Sequence, residues 1–482
     1  MTHRCKASIA LLLILAWLSP MLLPAQAAST GYDPNTLSYG LYWFGPNNLN
    51  QKFVHGEANP YFDPTRPTLI FVHGWQPGIS ATNPPNFTYD YVEVVPKSVN
   101  TANAWISAGW NVGIFFWNQF SDEALVTDAE AKIWTPDGPR YMRWRKGGGS
   151  YEEAPVDTPS AAELFYNAYV AAMTEQNYTG GNIRIAGHSL GNQMAVRLAK
   201  LVNDGIAAGT VPEHLRPTRV ALLDPYWSLG AKTYLAGKTT AEMIRSYVSE
   251  LLPTGTLFEW YRSSVLTVEP NGDSNTALQP MLFYAEMDPA FESYDPTHMR
   301  EHCAANHLYF WSYAFAGPPE CSGDACLGNA KVLAKMSDAR LAALMRSDYS
   351  WAQDAGTLSP TPDDDLYQSA LRSTAPYTVT LLEASPLTQT IGSVITVTAT
   401  VEDKNHDAAG DGILVTFDTD LGAISPRAAT HDGIATAAIT SIASGTASIS
   451  ATTRGAGGAV QSSVVVTFLA KARIFLPLVL CQ

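Results

Sequence analysis

Every tryptophan of this 482-residue chain lies at or before Trp351, and soon afterwards the residue pattern changes character. One hydrophobic core does not switch its building blocks partway along, so the chain reads as two folds in series. Between residues 354 and 376 the sequence is rich in Pro, Ser, Thr and Asp and has no sustained apolar stripe, which is the composition of an extended linker. The expected division is residues 28–353, a linker over 354–376, and a second unit over 377–470.

In the first unit, strand-like and helix-like segments alternate. Thr68–Val72 and Val112–Phe116 are short, apolar and rich in β-branched or aromatic residues, as strands covered on both faces are. Ser160 and Glu163 have capping-box spacing and open a helix with Leu164, Phe165, Ala168 and Ala172 on one face. A strand over Asn182–Ala186, a helix over Asn192–Asn203 ending at Gly205, and a strand over Arg219–Leu223 follow. The alternation predicts an α/β fold with a mainly parallel central sheet. In the second unit, β-branched runs at 394–401, 413–417, 434–440, 446–452 and 463–468 are separated by Gly, Asp and Ser turns, which predicts an all-β sandwich.

The N-terminus has the layout of a secretory leader. Arg4 and Lys6 precede an apolar run broken by Pro20, and Ala25-Gln26-Ala27 offers small residues at cleavage spacing, so residues 1–27 are expected to be a signal peptide and the mature protein extracellular, with no membrane-spanning segment left. A net charge of −14, with no basic run beyond the one around Arg145, excludes a broad nucleic-acid-binding face. Five cysteines are too few for a disulfide-built scaffold, although Cys321 and Cys326 have the spacing to close a small loop. The apolar tail, residues 471–482, is too short to span a bilayer.

Chemistry concentrates in the first unit. Gly187-His188-Ser189-Leu190-Gly191 matches G-x-S-x-G, with a predicted strand running in and an amphipathic helix running out, the setting of a nucleophile elbow. A serine hydroxyl needs a base, and the base needs an acid to orient it. Asp224 directly follows the strand Arg219–Leu223 and precedes Pro225, which puts it at the same sheet edge as Ser189. His298, His302 and His307 all follow Asp224, and spacing does not choose among them. His298 and His302 one turn apart beside Cys303 also allow a zinc reading, but no HExxH or second ligand pair accompanies them, and no metal or cofactor is expected. The amides of Leu190 and Trp75, the latter after the strand ending in His73-Gly74, are the expected oxyanion donors, with His73 bracing that loop.

Taken together, Asp63–Trp75, Gly187–Gly191, Leu223-Asp-Pro225 and Asn306–Tyr313 resemble the pancreatic-lipase-like family of α/β-hydrolases. The resemblance implies a secreted serine carboxylester hydrolase acting on lipid or other acyl esters. It also selects His307 as the base, because that family sets its histidine in a Cys-Asn-His-Leu context. Here Cys303 stands three residues before Asn306-His307 instead of abutting it. The resemblance places a lid between acid and base, where Thr239 and Glu242 open an amphipathic helix; an ordinary packed helix has the same pattern. The basic, aromatic loop Arg140–Gly149 reads as an exposed loop, or as a contact for anionic headgroups. Phospholipase A1, thioesterase or amidase action on the same machinery is the alternative, as is a non-catalytic binding or adhesion role. The second unit resembles bacterial immunoglobulin-like domains of the invasin/intimin type through Thr398–Asp403, Val415–Phe417 and the His431-Asp-Gly433 turn, which implies a cell-surface or glycan partner. Asp403, Asn405 and Asp407 lack the Gly and distal Glu of a calcium loop and read as a solvated turn.

Overall fold

The computed structural model describes residues 32–470 except 79–83, 92–96, 288–296, 317–319, 323–324, 328–331, 346–348, 355–365, 372–376, 403–407, 410–412, 426 and 454–461. The expected leader, the turn at Asp403–Asp407 and the apolar tail thus lie outside the described residues.

A twelve-stranded sheet organises the first unit. Its strands are β1 (Gly40–Phe44), β2 (Asn50–Lys52), β3 (Thr68–Val72), β4 (Asn111–Phe116), β5 (Ile183–His188), β6 (Arg219–Leu223), β7 (Leu257–Arg262), β8 (Phe283–Glu286), β9 (Glu320–Ser322), β10 (Ala325–Leu327), β11 (Tyr349–Asp354) and β12 (Leu366–Leu371). The spatial order is β10-β9-β12-β11-β8-β7-β6-β5-β3-β4-β1-β2. From β4 through β3, β5, β6, β7 and β8 to β11 every neighbour is parallel, so all these strands end at one edge.

Strands β3, β5 and β6 are buried along their whole length because both sheet faces are covered. Alternate residues feed two cores. Ile70, Val72, Ile185, Val220 and Leu222 pack with helices α1 (Ala161–Glu175), α2 (Gly191–Ala207) and α3 (Thr240–Leu251). Leu69, Phe71, Ala186, Ala221 and Leu223 face the other way, toward helix α4 (Met299–Trp311). Ser160 caps α1 reciprocally with Glu163, as its spacing predicts.

Four expectations need correction or refinement. Helix α2 does not stop at Gly205. It runs to Ala207, and the left-handed turn falls on Gly209, φ 72°; Gly205 is buried, and a Cβ there would meet Val211 at 2.5 Å. Part of the expected linker is a strand, since β12 pairs antiparallel with β11 over six residues; the surrounding Pro and Asp residues mask a short run that closes the sheet. Helix α3 is a packed helix, with Ala241, Ile244, Val248 and Leu251 in the core. Loop Arg140–Gly149 is anchored rather than offered outward: Met142 and Trp144 are buried, and Arg140, Arg143, Arg145 and Lys146 pair with Asp128, Glu123, Asp122 and Glu152.

The second unit is a sandwich. One sheet runs Thr378–Ser385, Ile395–Glu402, Ile434–Thr440, Ala423–Ile424, and the other runs Thr388–Thr390, Ser462–Leu469, Gly445–Thr453, Leu414–Thr419, Arg427–Ala429. Alternate residues such as Ile395, Val397, Ala399 and Val401 are buried while those between are not, the period-two signature of sheets covered on one face.

Candidate active site

The elbow forms because β5 runs directly into α2 with no room for a loop. Ser189 turns the chain in the left-handed region, φ 54°, a strained position that thrusts its side chain off the sheet edge. Two glycines make the turn sterically feasible: a Cβ on Gly187 would strike the Gly191 carbonyl, and one on Gly191 would strike the Val72 carbonyl of neighbouring β3. The Ser189 amide donates to Leu223 O at 3.1 Å, tying the elbow to the end of β6. Its carbonyl accepts from the Asn192 and Tyr226 amides at 3.3 and 3.2 Å and from the Asn192 side chain. The hydroxyl therefore sits on an over-determined backbone at the positive end of a 17-residue helix, where developing negative charge is favoured.

Asp224, at the end of β6, is fully buried and also left-handed, φ 37°. Its Oδ1 accepts from the amides of Ser263 and Ser264 at 2.7 and 3.1 Å, and its Oδ2 accepts from Ser264 Oγ at 2.5 Å. These two serines directly follow β7, so three parallel strands supply the carboxylate and its cradle. The remaining partner of Oδ2 is His302 Nδ1, at 2.6 Å. A carboxylate only accepts, so Nδ1 carries the proton, and neutral His302 keeps its lone pair on Nε2.

The structure thus places His302, and not His307, against Asp224. Five residues of helix amount to about 140° of rotation, so the two rings cannot share a direction. His307 points instead to Tyr89 and Trp311, with ring centroids 5.1 and 5.3 Å away. His298 pairs with Glu301 at 3.0 Å, and among the described residues no three His, Cys, Asp or Glu side chains gather as metal ligands.

Two tethers that sequence reasoning missed hold His302. Ser263 Oγ donates to Glu301 O at 2.6 Å, fixing the start of α4 to the end of β7. His188 Nε2 lies 2.8 Å from His302 O, with the two rings 4.5 Å apart. Burial, and then the neighbouring His302, holds the His188 pKa well below its usual value, so His188 is neutral and its Nε2–H donates to that carbonyl. The only signal for His188 was its place inside the G-x-S-x-G string. Among the described residues no hydrogen bond joins Ser189 Oγ to His302, a contact that often tightens only when substrate binds.

The loop after β3 closes against the hydroxyl. A Cβ on Gly74 would lie 2.5 Å from Ser189 Cβ and 3.1 Å from its Oγ, so only glycine lets the backbone approach this closely. His73 braces the loop, as expected: Nε2 accepts from the Trp117 amide at 3.3 Å, leaving Nδ1–H to donate to Gly74 O at 3.0 Å, while Trp117 Nε1 donates to His73 O at 2.8 Å. Burial pushes its pKa down to about 4, which keeps this arrangement neutral. Trp75 Nε1 donates to Glu123 O at 2.7 Å. The Glu123 carboxylate is in turn clamped by Lys132 at 2.6 Å and by Arg143. The main-chain amides of Trp75 and Leu190 donate to no other group among the described residues.

No family model matches the chain, and no curated protein does. Solved structures share parts of it. The D00–D0 domain of intimin is 26% identical over 22% of this chain and 55% of that one, with a TM-score of 0.18. Invasin, described as a bacterial integrin-binding protein, is 28% identical over 22% of each chain, with a TM-score of 0.18. The Yersinia pseudotuberculosis adhesin InvE is 24% identical over 19% of this chain and 26% of that one, with a TM-score of 0.17. The chain spans about half or less of the length of these structures.

Proposed function

We propose that the protein is a secreted serine carboxylester hydrolase of α/β-hydrolase type, lipase-like in substrate, with Ser189, His302 and Asp224 as its triad. The observation that carries this reading is the 2.6 Å contact of His302 Nδ1 with Asp224 Oδ2 beside a left-handed serine at the same sheet edge. His302 Nε2 takes the Ser189 proton as Oγ adds to the ester carbonyl. The amides of Trp75 and Leu190 accept the oxyanion, and Asp224 steadies the imidazolium. Collapse expels the alcohol, which leaves with the proton from His302 and gives an acyl-Ser189. Water, deprotonated by the same imidazole, then releases the acid and restores the hydroxyl.

The leader-like N-terminus supports an extracellular site of action. The sandwich has no titratable side chain in its core among the described residues, and in this reading it binds a cell-surface or glycan partner. The test is ester cleavage and fluorophosphonate labelling of the purified chain and of Ser189→Ala. Wild type should react in both assays and the variant in neither, with an unchanged unfolding temperature. Retained cleavage by the variant ends the proposal, and an unlabelled, inert wild type favours a purely adhesive role.

A further inference from the structure

Helix α4 carries a second polar stripe beside the triad. Cys303, Asn306, His307 and Phe310 recur at three- and four-residue spacing, so they share one helical face, and Asn306 sits one turn, about 6 Å, beyond His302. Tyr89 lies over this face, its ring stacked on Phe310 at 5.5 Å and 5.1 Å from His307. Tyr89 and Asn306 are 9% and 7% exposed, yet Tyr89 Oη and Asn306 Oδ1 make no hydrogen bond among the described residues. Leaving two buried polar atoms unpaired so close together is costly, and a ligand that supplies their partners recovers that cost.

We propose that Tyr89 and Asn306 form a hydroxyl-binding subsite for the alcohol half of the substrate, selecting esters of polyols over esters of simple alkanols. The inference rests on the hydrolase reading. In that mechanism His302 protonates the departing alcohol, so a site one turn along the same helix faces the leaving group and not the acyl chain. Asn306 Oδ1 needs a donor, and the Tyr89 hydroxyl donates or accepts. Neighbouring hydroxyls of a glycerol-like alcohol meet both needs, and an ethyl group meets neither. Phe310 beneath the Tyr89 ring holds the hydroxyl in place before substrate arrives.

The test compares kcat/KM for glycerol monobutyrate and ethyl butyrate on the full-length protein, as wild type, Tyr89→Phe and Asn306→Leu, with unfolding temperatures as the control for folding. Each variant should lose about tenfold on the glycerol ester, mainly through KM, and stay within about twofold on the ethyl ester. Equal losses on both esters, or no loss on either, would overturn the subsite while leaving the hydrolase intact. A folded wild type inert toward both esters would overturn the hydrolase reading and the subsite with it.

Discussion

The α/β unit and the sandwich bury their interiors in opposite ways. Around the large sheet, charge is buried with its partners: Arg219 and Glu259 are both fully buried and joined at 2.6 Å, with Tyr261 and Tyr309 hydroxyls on the same carboxylate. Two buried residues next to each other in space, Ser189 and Asp224, sit in left-handed backbone. The sandwich core is Val, Ile, Ala, Leu and Phe, and only Thr430 and Ser441 are buried polar residues among those described. Strain and desolvated charge persist only where surrounding structure over-determines them. Their confinement to one unit locates the chemistry there, and it makes the two units respond differently to the same perturbation.

The largest contrast should come from Asp224→Asn, which keeps the shape of the acid but removes the charge that steadies His302. A loss on the order of 10⁴-fold in kcat is expected from ester assays, with no change in the sandwich's circular dichroism. Next, Glu259→Leu leaves Arg219 buried without its carboxylate. About 3–5 kcal/mol of stability should disappear from the α/β unit, read by denaturant unfolding followed through tryptophan fluorescence, since every tryptophan lies at or before Trp351. In the sandwich, Ile449→Ala opens a cavity in an apolar core. It should cost about 2–5 kcal/mol there while leaving kcat/KM for esters unchanged.

A smaller effect separates the units by pH. His73 is buried with its pKa lowered to about 4, so the unfolded chain binds its proton more readily than the folded one. Its neutral form carries no penalty above about pH 6.5. The α/β unit should lose stability as pH falls from there to about 4, by roughly 3 kcal/mol from this group, and His188 acts in the same direction. The sandwich's described histidine, His431, is exposed and should contribute no such slope. Unfolding midpoints of both units at pH 7 and pH 4 check this, and parallel slopes would contradict it.

What the sequence discloses follows the range of the interactions involved. The sandwich strands are legible because period-two alternation is local, and Ile434–Thr440 falls where the pattern puts it. Ser189 and Asp224 are legible because an elbow and a strand-end acid are set by their nearest neighbours. The base is not, since three histidines satisfy the same order and the choice depends on how α4 is rotated. That rotation is fixed by Ser263 and His188, far away in the chain. One local signal existed: His302, Ala305 and Tyr309 follow one another at helical spacing on the inward face, whereas His307 belongs to the stripe under Tyr89. Strands β7, β8 and β12 escape because their aromatic and polar residues serve sheet neighbours rather than a simple period.

The measurement that tests the central claim most directly is ester hydrolysis by His302→Ala beside His307→Ala, each with its unfolding temperature. Loss on the order of 10⁴-fold in the first variant, with the second within about threefold of wild type, is the predicted result. A folded His302→Ala that keeps its activity, or a His307→Ala that loses it to that extent, would contradict the triad described above.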